Sequence, residues 1–411
     1  MNELPGPLAD DRPGGRFLRA ALWLVIVGAA VKAVCVPSFT QWDFKLYKGC
    51  ARAMALGADP YDEREASKKL GYALEMPCIY PPLALEAYRP FAALSPGPSD
   101  YGAQFLWSAL KLAAIALLIA LWRRFTPIDG GAATLAFFLL AYSDPFLIDL
   151  RSGNIAVFEQ LPLWIGLAAL VEGRDLLFGL CVAAAAQVKL QPAVFLLLLL
   201  LRPRPAWGAF LASSAAAAGL FGLNFLRPEL ARSYLAALAR GENSWLNESA
   251  RINSSAFSFF RAVAGLAAGG EPGRWAWLLI GPAIAAVLAE TARVCIRPGG
   301  GLDQRSRRVE TALLFCAATP LLLPRFKDYS YLLLLAPTLY VLRLPLPAGR
   351  RAGILACAVL NSTEGLARKL GAGDAAPLFS YFKLAAAGQL WWALRGRLSA
   401  PAISGATSSR P

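Results

Sequence analysis

An all-α protein that crosses a membrane many times is the fold class this sequence predicts, and three observations carry it. Of 411 residues, 57% are hydrophobic and the mean hydropathy is +0.47, well above ordinary soluble domains. Apolar stretches recur along the whole length; the clearest, 206–226, is as long as a bilayer-spanning helix requires. Basic residues gather between these stretches: Arg12, Arg16 and Arg19; Arg123 and Arg124; Arg202 and Arg204; Arg293, Arg297, Arg305, Arg307 and Arg308; then Arg343, Arg350, Arg351, Arg395 and Arg397. Alternate basic loops mark the cytoplasmic side of a polytopic protein. The net charge of +14 is therefore topological, and no nucleic-acid partner is expected.

Placing each Arg-rich loop in the cytoplasm orders the elements. A cytoplasmic segment 1–16 precedes a first span over 17–36. Its basic start also fits a cleaved signal peptide, but the many later spans favour an uncleaved anchor. An outer loop covers 37–101, and spans follow over 103–122, 131–146 and 155–171. The stretch 176–201 starts and ends at cytoplasm-like charges yet is too short for two spans of about 20 residues each. It breaks at Lys189-Leu190-Gln191-Pro192, and such breaks are tolerated only inside a protein or beside a cavity. The span 206–226 leads to a second outer loop, 227–273. Five further segments lie over 274–289, 311–323, 329–342, 352–366 and 377–394. The count is about 11–13 transmembrane or re-entrant helices. They form one integral-membrane domain over 17–398, with both termini cytoplasmic and a disordered tail at 399–411. The Ala/Arg/Gly-rich composition points to a bacterial inner membrane.

Seven cysteines show no paired spacing and no histidine occurs at all. A disulfide framework is therefore not expected, and the commonest general base and metal ligand is missing. Chemistry must run on carboxylates, amides, hydroxyls and cations. No cluster has divalent-metal spacing, so neither a metal nor another cofactor is expected.

The first outer loop is the most informative segment. Residues 44–56 fit an amphipathic helix stopped by Gly57, with Phe44, Tyr47, Ala51 and Met54 on one face and Lys45, Lys48 and Arg52 on another. Such a helix is expected to lie flat on the membrane. Asp43 opens it, where an Asp is commonly an N-cap; a carboxylate at the lipid boundary is equally placed to act as a base. Tyr80-Pro81-Pro82 and the short stretch 83–94 follow, too charged to span.

This order of motifs resembles glycosyltransferase family 87, within the GT-C superfamily. The matching stretches are Asp43-Phe44 with Tyr47, Gly57-Ala58-Asp59-Pro60-Tyr61, Tyr80-Pro81-Pro82 with Trp107, Ser152-Gly153-Asn154 as a loose match, and Lys189 with Pro192. The resemblance covers 17–345. It implies a GT-C fold and an inverting transfer, often of mannose, from a polyprenyl-phosphate sugar on the outer face, with Asp43 matching the acidic residue that serves as base. Relatives often carry His where this chain has Arg325-Phe326-Lys327, which bears on donor and acceptor identity.

A departing lipid phosphate needs cations where water is scarce. Lys189, Arg325, Lys327 and Arg251 are the candidates, each also able to snorkel to headgroups instead. Lys189 leads, since an ionisable side chain inside an apolar run is costly without a partner. Tyr47, Tyr80, Asp149, Asn154 and Asn253 are candidates for holding the sugar or acceptor, the last within a polar loop that solvation alone would also explain. Expected partners are membrane lipids, the polyprenyl-phosphate sugar as co-substrate, and a glycolipid or glycan acceptor. The competing reading is a transporter or flippase using Lys189 and Glu159.

Overall fold

Helices make up the regular structure among the described residues, where no strand occurs; a chain in lipid must satisfy its backbone internally. The computed structural model describes residues 41–74, 76–97, 101–126, 143–245, 253–269, 276–297, 302–359, 371, 378 and 380–399. The expected span over 17–36 and most of that over 131–146 lie outside these residues, as do the N-terminal segment and the tail beyond 399. Two units are present: Met1–Trp164, Ala184–Leu190 and Ala217–Asn247 form one, and Ile165–Ala183, Gln191–Ala216 and Glu248–Pro411 the other.

In the first unit, α1 (Trp42–Ala55) ends where the sequence says it must. Gly57 takes φ +74°, and the Ala58 and Gly57 amides return to the Ala53 and Met54 carbonyls at 2.9 and 3.2 Å, a Schellman stop that needs a left-handed residue. Asp59 Oδ1 accepts from the Tyr61 amide at 2.9 Å. Asp62 then caps α2 (Glu63–Leu70). Pro81 and Pro82 open α3 (Pro82–Glu86) with pre-set φ, and the Leu83 amide donates to Asn224 Oδ1 at 2.7 Å. There follow α4 (Arg89–Leu94), α5 (Tyr101–Trp122), α6 (Ser143–Ser152) and the first part of α7 (Ala156–Val171). The last turn of α8 (Asp175–Val188), the end of α9 (Trp207–Gly222) and α10 (Pro228–Trp245) complete the unit.

The aromatic core of this unit corrects one expectation. Phe44 is fully buried, stacked on Trp107 at 5.0 Å and edge-on to Phe91 at 5.6 Å. Tyr47 meets Tyr80 edge-on at 4.1 Å. Lys48, expected in a basic stripe on the membrane surface, is 1% exposed and donates to Ser95 Oγ and the Gly97 carbonyl at 3.2 and 2.7 Å. The helix does not lie flat on lipid: the chain folds back over it, and the polar stripe finds protein acceptors. The segment read as the second outer loop, 227–273, holds α10 and α11 (Ala256–Ala268), the latter capped by Ser255. Asn and Ser richness read as loop there, whereas Pro228 and Ser255 are helix-opening residues.

In the second unit a 3₁₀ segment (Gln191–Leu199) follows the break at Lys189 and Leu190, as read from the sequence. Four helices, α12 (Ala276–Ile296), α13 (Gln304–Leu322), α15 (Ala348–Val359) and α16 (Phe382–Ser399), pack with α14 (Leu335–Leu342). Residues 309–320 of α13 are buried nearly all round, the mark of a central helix. Its Glu310 is held by Tyr340 and Arg397 at 2.7 and 2.8 Å. Among the described residues two stretches are long and apolar enough to cross a membrane, Tyr101–Trp122 and Trp207–Phe225. Four more, Ala156–Val171, Asp175–Val188, Ala256–Ala268 and Asp328–Leu342, are apolar but shorter. Only 11% of the Trp207–Phe225 window is buried, so its apolar side chains face outward.

The Lys48→Ala variant removes a donor shared by two acceptors and is expected to lose about 1–3 kcal/mol, read as a lower Tm in detergent. Arg52→Ala, on the partly exposed side of the same helix, is expected to stay within about 0.5 kcal/mol of the parent.

Candidate active site

The sequence left Asp43 as either a cap or a base. In the structure the N-cap of α1 is Gln41, and Asp43 lies in the first turn, where the positive helix end favours a carboxylate. Its Oδ2 accepts from Asn154 Nδ2 at 2.6 Å, across 111 positions of sequence. Capping is not its work.

Asn154 is fixed from several directions. Its amide meets the Asp149 carbonyl and Ser152 Oγ, both at 3.1 Å. Its Oδ1 accepts from the Ala156 amide, an Asx turn into α7, and from Lys189 Nζ, each at 3.0 Å. Two donors on Oδ1 decide which way the carboxamide faces, so Nδ2 must point at Asp43. Lys189 sits in the break after α8, and its ammonium also lies 3.2 Å from Glu159 Oε2, with those side chains 15% and 4% exposed. The result is one chain of charge and dipole: Glu159, Lys189, Asn154, Asp43.

A second pair underlies it. Lys111, in the middle of the apolar α5, is wholly buried 2.6 Å from Asp149 Oδ2 and also bonds the Asp149 carbonyl. Sequence reasoning missed this lysine. The signal was there: Gln104, Trp107, Ser108 and Lys111 recur at spacings of one helical face in an otherwise apolar span, and all four are buried. Ser108 Oγ takes a hydrogen bond from Gln41 at 2.9 Å, and Trp107 Nε1 donates to the Gly153 carbonyl at 2.9 Å. Tyr88 was missed as well. Its hydroxyl is buried without a hydrogen-bond partner. Burial first, then the charges of Asp43 and Asp149, hold it well above the usual phenol range, so it stays a neutral donor.

Gly153 lets these groups meet. It has φ +69°, and a Cβ there would stand 2.6 Å from Phe44 Cβ, closer than side chains tolerate. The loose Ser-Gly-Asn match is therefore the seat on which α1 rests. Of three carboxylates gathered here, Asp149 and Glu159 each face a lysine, while half-buried Asp43 is held by a neutral amide.

The other candidates are placed as follows. Asp149, Asn154 and Lys189 share the first unit with Asp43. Tyr47 and Tyr80 do too, but as buried core rings. Asn253, Arg325 and Lys327 lie in the second unit, where Asn253 bonds the Pro324 carbonyl and the Phe326 amide at 3.1 and 3.0 Å. Gln191 Nε2 donates to the Arg325 carbonyl at 2.6 Å, and Lys327 lies over the Tyr329 ring. Arg251 lies outside the described residues. Among the described residues no three His, Cys, Asp or Glu side chains gather as metal ligands would.

The family model of glycosyltransferase family 87 matches residues 79–324, more than half of the chain. The chain belongs to glycosyltransferase family 87. It is therefore a glycosyltransferase and a membrane protein, and the transporter reading falls away. No curated protein and no solved structure compared with it matches. Tyr80, Lys111, Asp149, Asn154, Glu159 and Lys189 lie inside the matched span of this glycosyltransferase, whereas Asp43 and Tyr47 lie upstream.

Gly153→Ala should separate α1 from Asn154. Sugar transfer is expected to fall at least about tenfold, since small misplacements near a reacting group are costly. Gly57→Ala, strained at φ +74° but with open space around it, should cost about 1–3 kcal/mol in Tm and leave transfer close to the parent rate. Equal losses of transfer in the two variants would remove the case for Gly153 as a seat.

Proposed function

We propose that this family 87 enzyme moves a sugar, with mannose as the family default, from a polyprenyl-phosphate donor to a lipid or glycan acceptor on the outer face of the cell membrane. Transfer proceeds with inversion within a GT-C-type fold of about 11–13 spanning or re-entrant helices. One observation carries the reading: the Asp43 carboxylate is held by the Asn154 amide, whereas Asp149 and Glu159 are held in ion pairs with Lys111 and Lys189.

The chemistry follows from that imbalance. A carboxylate paired with an ammonium is a poor proton acceptor, because the cation stabilises its charged form. Asp43 Oδ2, steadied by one amide N–H, keeps a second oxygen for the acceptor hydroxyl. It takes that proton as the acceptor oxygen attacks the anomeric carbon. The bond from that carbon to the phosphate oxygen breaks, and its electron pair leaves with the polyprenyl phosphate. Base catalysis of this kind is worth about 10²–10⁴-fold.

The negative charge that develops on the phosphate calls for a cation in a poorly solvated place. Lys189 fits, held at the far end of the Asn154 carboxamide from Asp43. Glu159 then acts as a positioning residue that aims the ammonium. Arg325 and Lys327 are proposed as further cations for the donor phosphate on charge and half-burial alone. Asn154 and Asp149 are proposed near the sugar, and Asn253 near the acceptor.

The Asp43→Asn enzyme, purified and given polyprenyl-phosphate mannose with membrane glycolipid extract, should melt at the parent temperature and transfer about 10²–10⁴-fold more slowly. Turnover at the parent rate would refute Asp43 as base. A Lys189→Gln variant should lose kcat more than KM if the lysine stabilises the leaving phosphate; an increase in KM alone would restrict it to ground-state binding.

A further inference from the structure

Two of the seven cysteines, which show no paired spacing along the sequence, become neighbours in the first unit. Cys50 lies on α1, one helical turn after Tyr47 and on the same face. Cys78 lies two residues before Tyr80, in the irregular chain that leads to α3. Tyr47 and Tyr80 meet edge-on at 4.1 Å. One helical turn advances about 5 Å and two extended residues about 7 Å, so the contact between those rings carries on to the two sulfur atoms. The Cys50 thiol is hydrogen-bonded to Cys78. Both side chains are buried in the aromatic core, 0% and 1% exposed. Tyr61 holds the chain around Cys78 in place, its hydroxyl donating to the Tyr80 carbonyl at 2.7 Å.

Both residues are thiols in this structure, and two protons and two electrons separate them from a disulfide. Among the described residues no three His, Cys, Asp or Glu side chains gather, so the pair lacks the further ligands of a thiolate metal site. The loop over 37–101 is placed on the outer face by the function proposed above, and such compartments are where disulfides form and persist. We propose that Cys50 and Cys78 form a disulfide that ties α1, the helix that carries Asp43, to the chain before Tyr80; the proposal rests on that outer placement. One thiolate attacks the disulfide of a dithiol–disulfide oxidoreductase, breaking its S–S bond and forming a mixed disulfide. The second thiolate displaces the oxidoreductase sulfur, and the oxidant leaves as a dithiol with the two electrons and two protons. In the closed fold, burial pushes the Cys50 thiol well above its usual range. A thiol there is a poor nucleophile, so pairing belongs to folding, before the chain covers α1.

The test takes the full-length protein directly from cells. Cells are quenched with acid, thiols are blocked with N-ethylmaleimide in denaturant, and the membrane fraction is digested for mass spectrometry. A linked Cys50–Cys78 peptide that accepts maleimide only after reduction is expected. Maleimide on both residues without reduction would overturn the proposal. In detergent, a phosphine reductant present during melting should lower the parent Tm by about 5 °C and leave that of the Cys50→Ala/Cys78→Ala variant unchanged. An equal shift in both proteins would also overturn it. Sidedness is read separately, by adding Glu65→Cys on exposed α2 to that double variant and treating intact cells with a maleimide that cannot cross the membrane. Labelling at 65, with free thiols at 50 and 78 in the parent, would sink the disulfide alone. Free thiols with no labelling until the cells are opened would instead refute the outer placement on which it rests.

Discussion

Ionisable groups taken out of water must find partners, and the first unit is arranged around how that demand is met. Burying a charge alone costs far more than any single contact returns. Lys111 meets Asp149 and Lys189 meets Glu159, so two cations and two anions balance. The fifth ionisable group, Asp43, is hydrogen-bonded to the Asn154 carboxamide, which also bonds Lys189. A dipole steadies a carboxylate without neutralising it, and the arrangement thereby sets the amide-held Asp43 apart from the two ion pairs. The breaks and turns around it serve that separation. The break after α8 frees Lys189 from a helix face, the Asx turn at Asn154 aims its amide, and the missing side chain of Gly153 lets α1 come close.

Much of the scaffold was legible because its signals are local. The stop of α1 at Gly57, the turn through Asp59 and Tyr61 and the break at Lys189 each depend on neighbours within a few residues. Asp43 and Lys189 also stood out, one as an acidic residue just past an apolar span, the other as a charge inside one. What periodicity could not supply was partnership. The Asn154 bond to Asp43 joins distant parts of the chain, so a capping role for Asp43 stayed open until coordinates closed it. Lys48 read as surface because helical spacing gives a face but not what covers that face. Lys111 was passed over because one charge in a long apolar helix is outvoted when hydropathy is averaged. The helices within 227–273 were hidden by a composition that loops and caps share.

Family membership and geometry bear on different parts of the chain. The matched region supplies Asn154, Glu159 and Lys189, yet Asp43 comes from the helix before it. The two parts are tied physically: Phe44 stacks on Trp107, Trp107 donates to the Gly153 carbonyl, and Gln41 bonds Ser108. These contacts place α1 by packing and hydrogen bonds that flank Asp43 on both sides. A residue outside the matched span is thus held against it through an aromatic stack and a missing Cβ.

The sparse burial of Trp207–Phe225 has a consequence for how this sequence can drift. Ser213, set against Gly179, is the buried side chain of α9; most of the others are exposed or half-buried. A hydrocarbon solvent asks only for oiliness, not for shape, so Ala, Leu, Val and Phe can trade places along α9 with little penalty. Residues 309–320 of α13, enclosed by neighbours, answer to every methylene. The two helices therefore age by different rules.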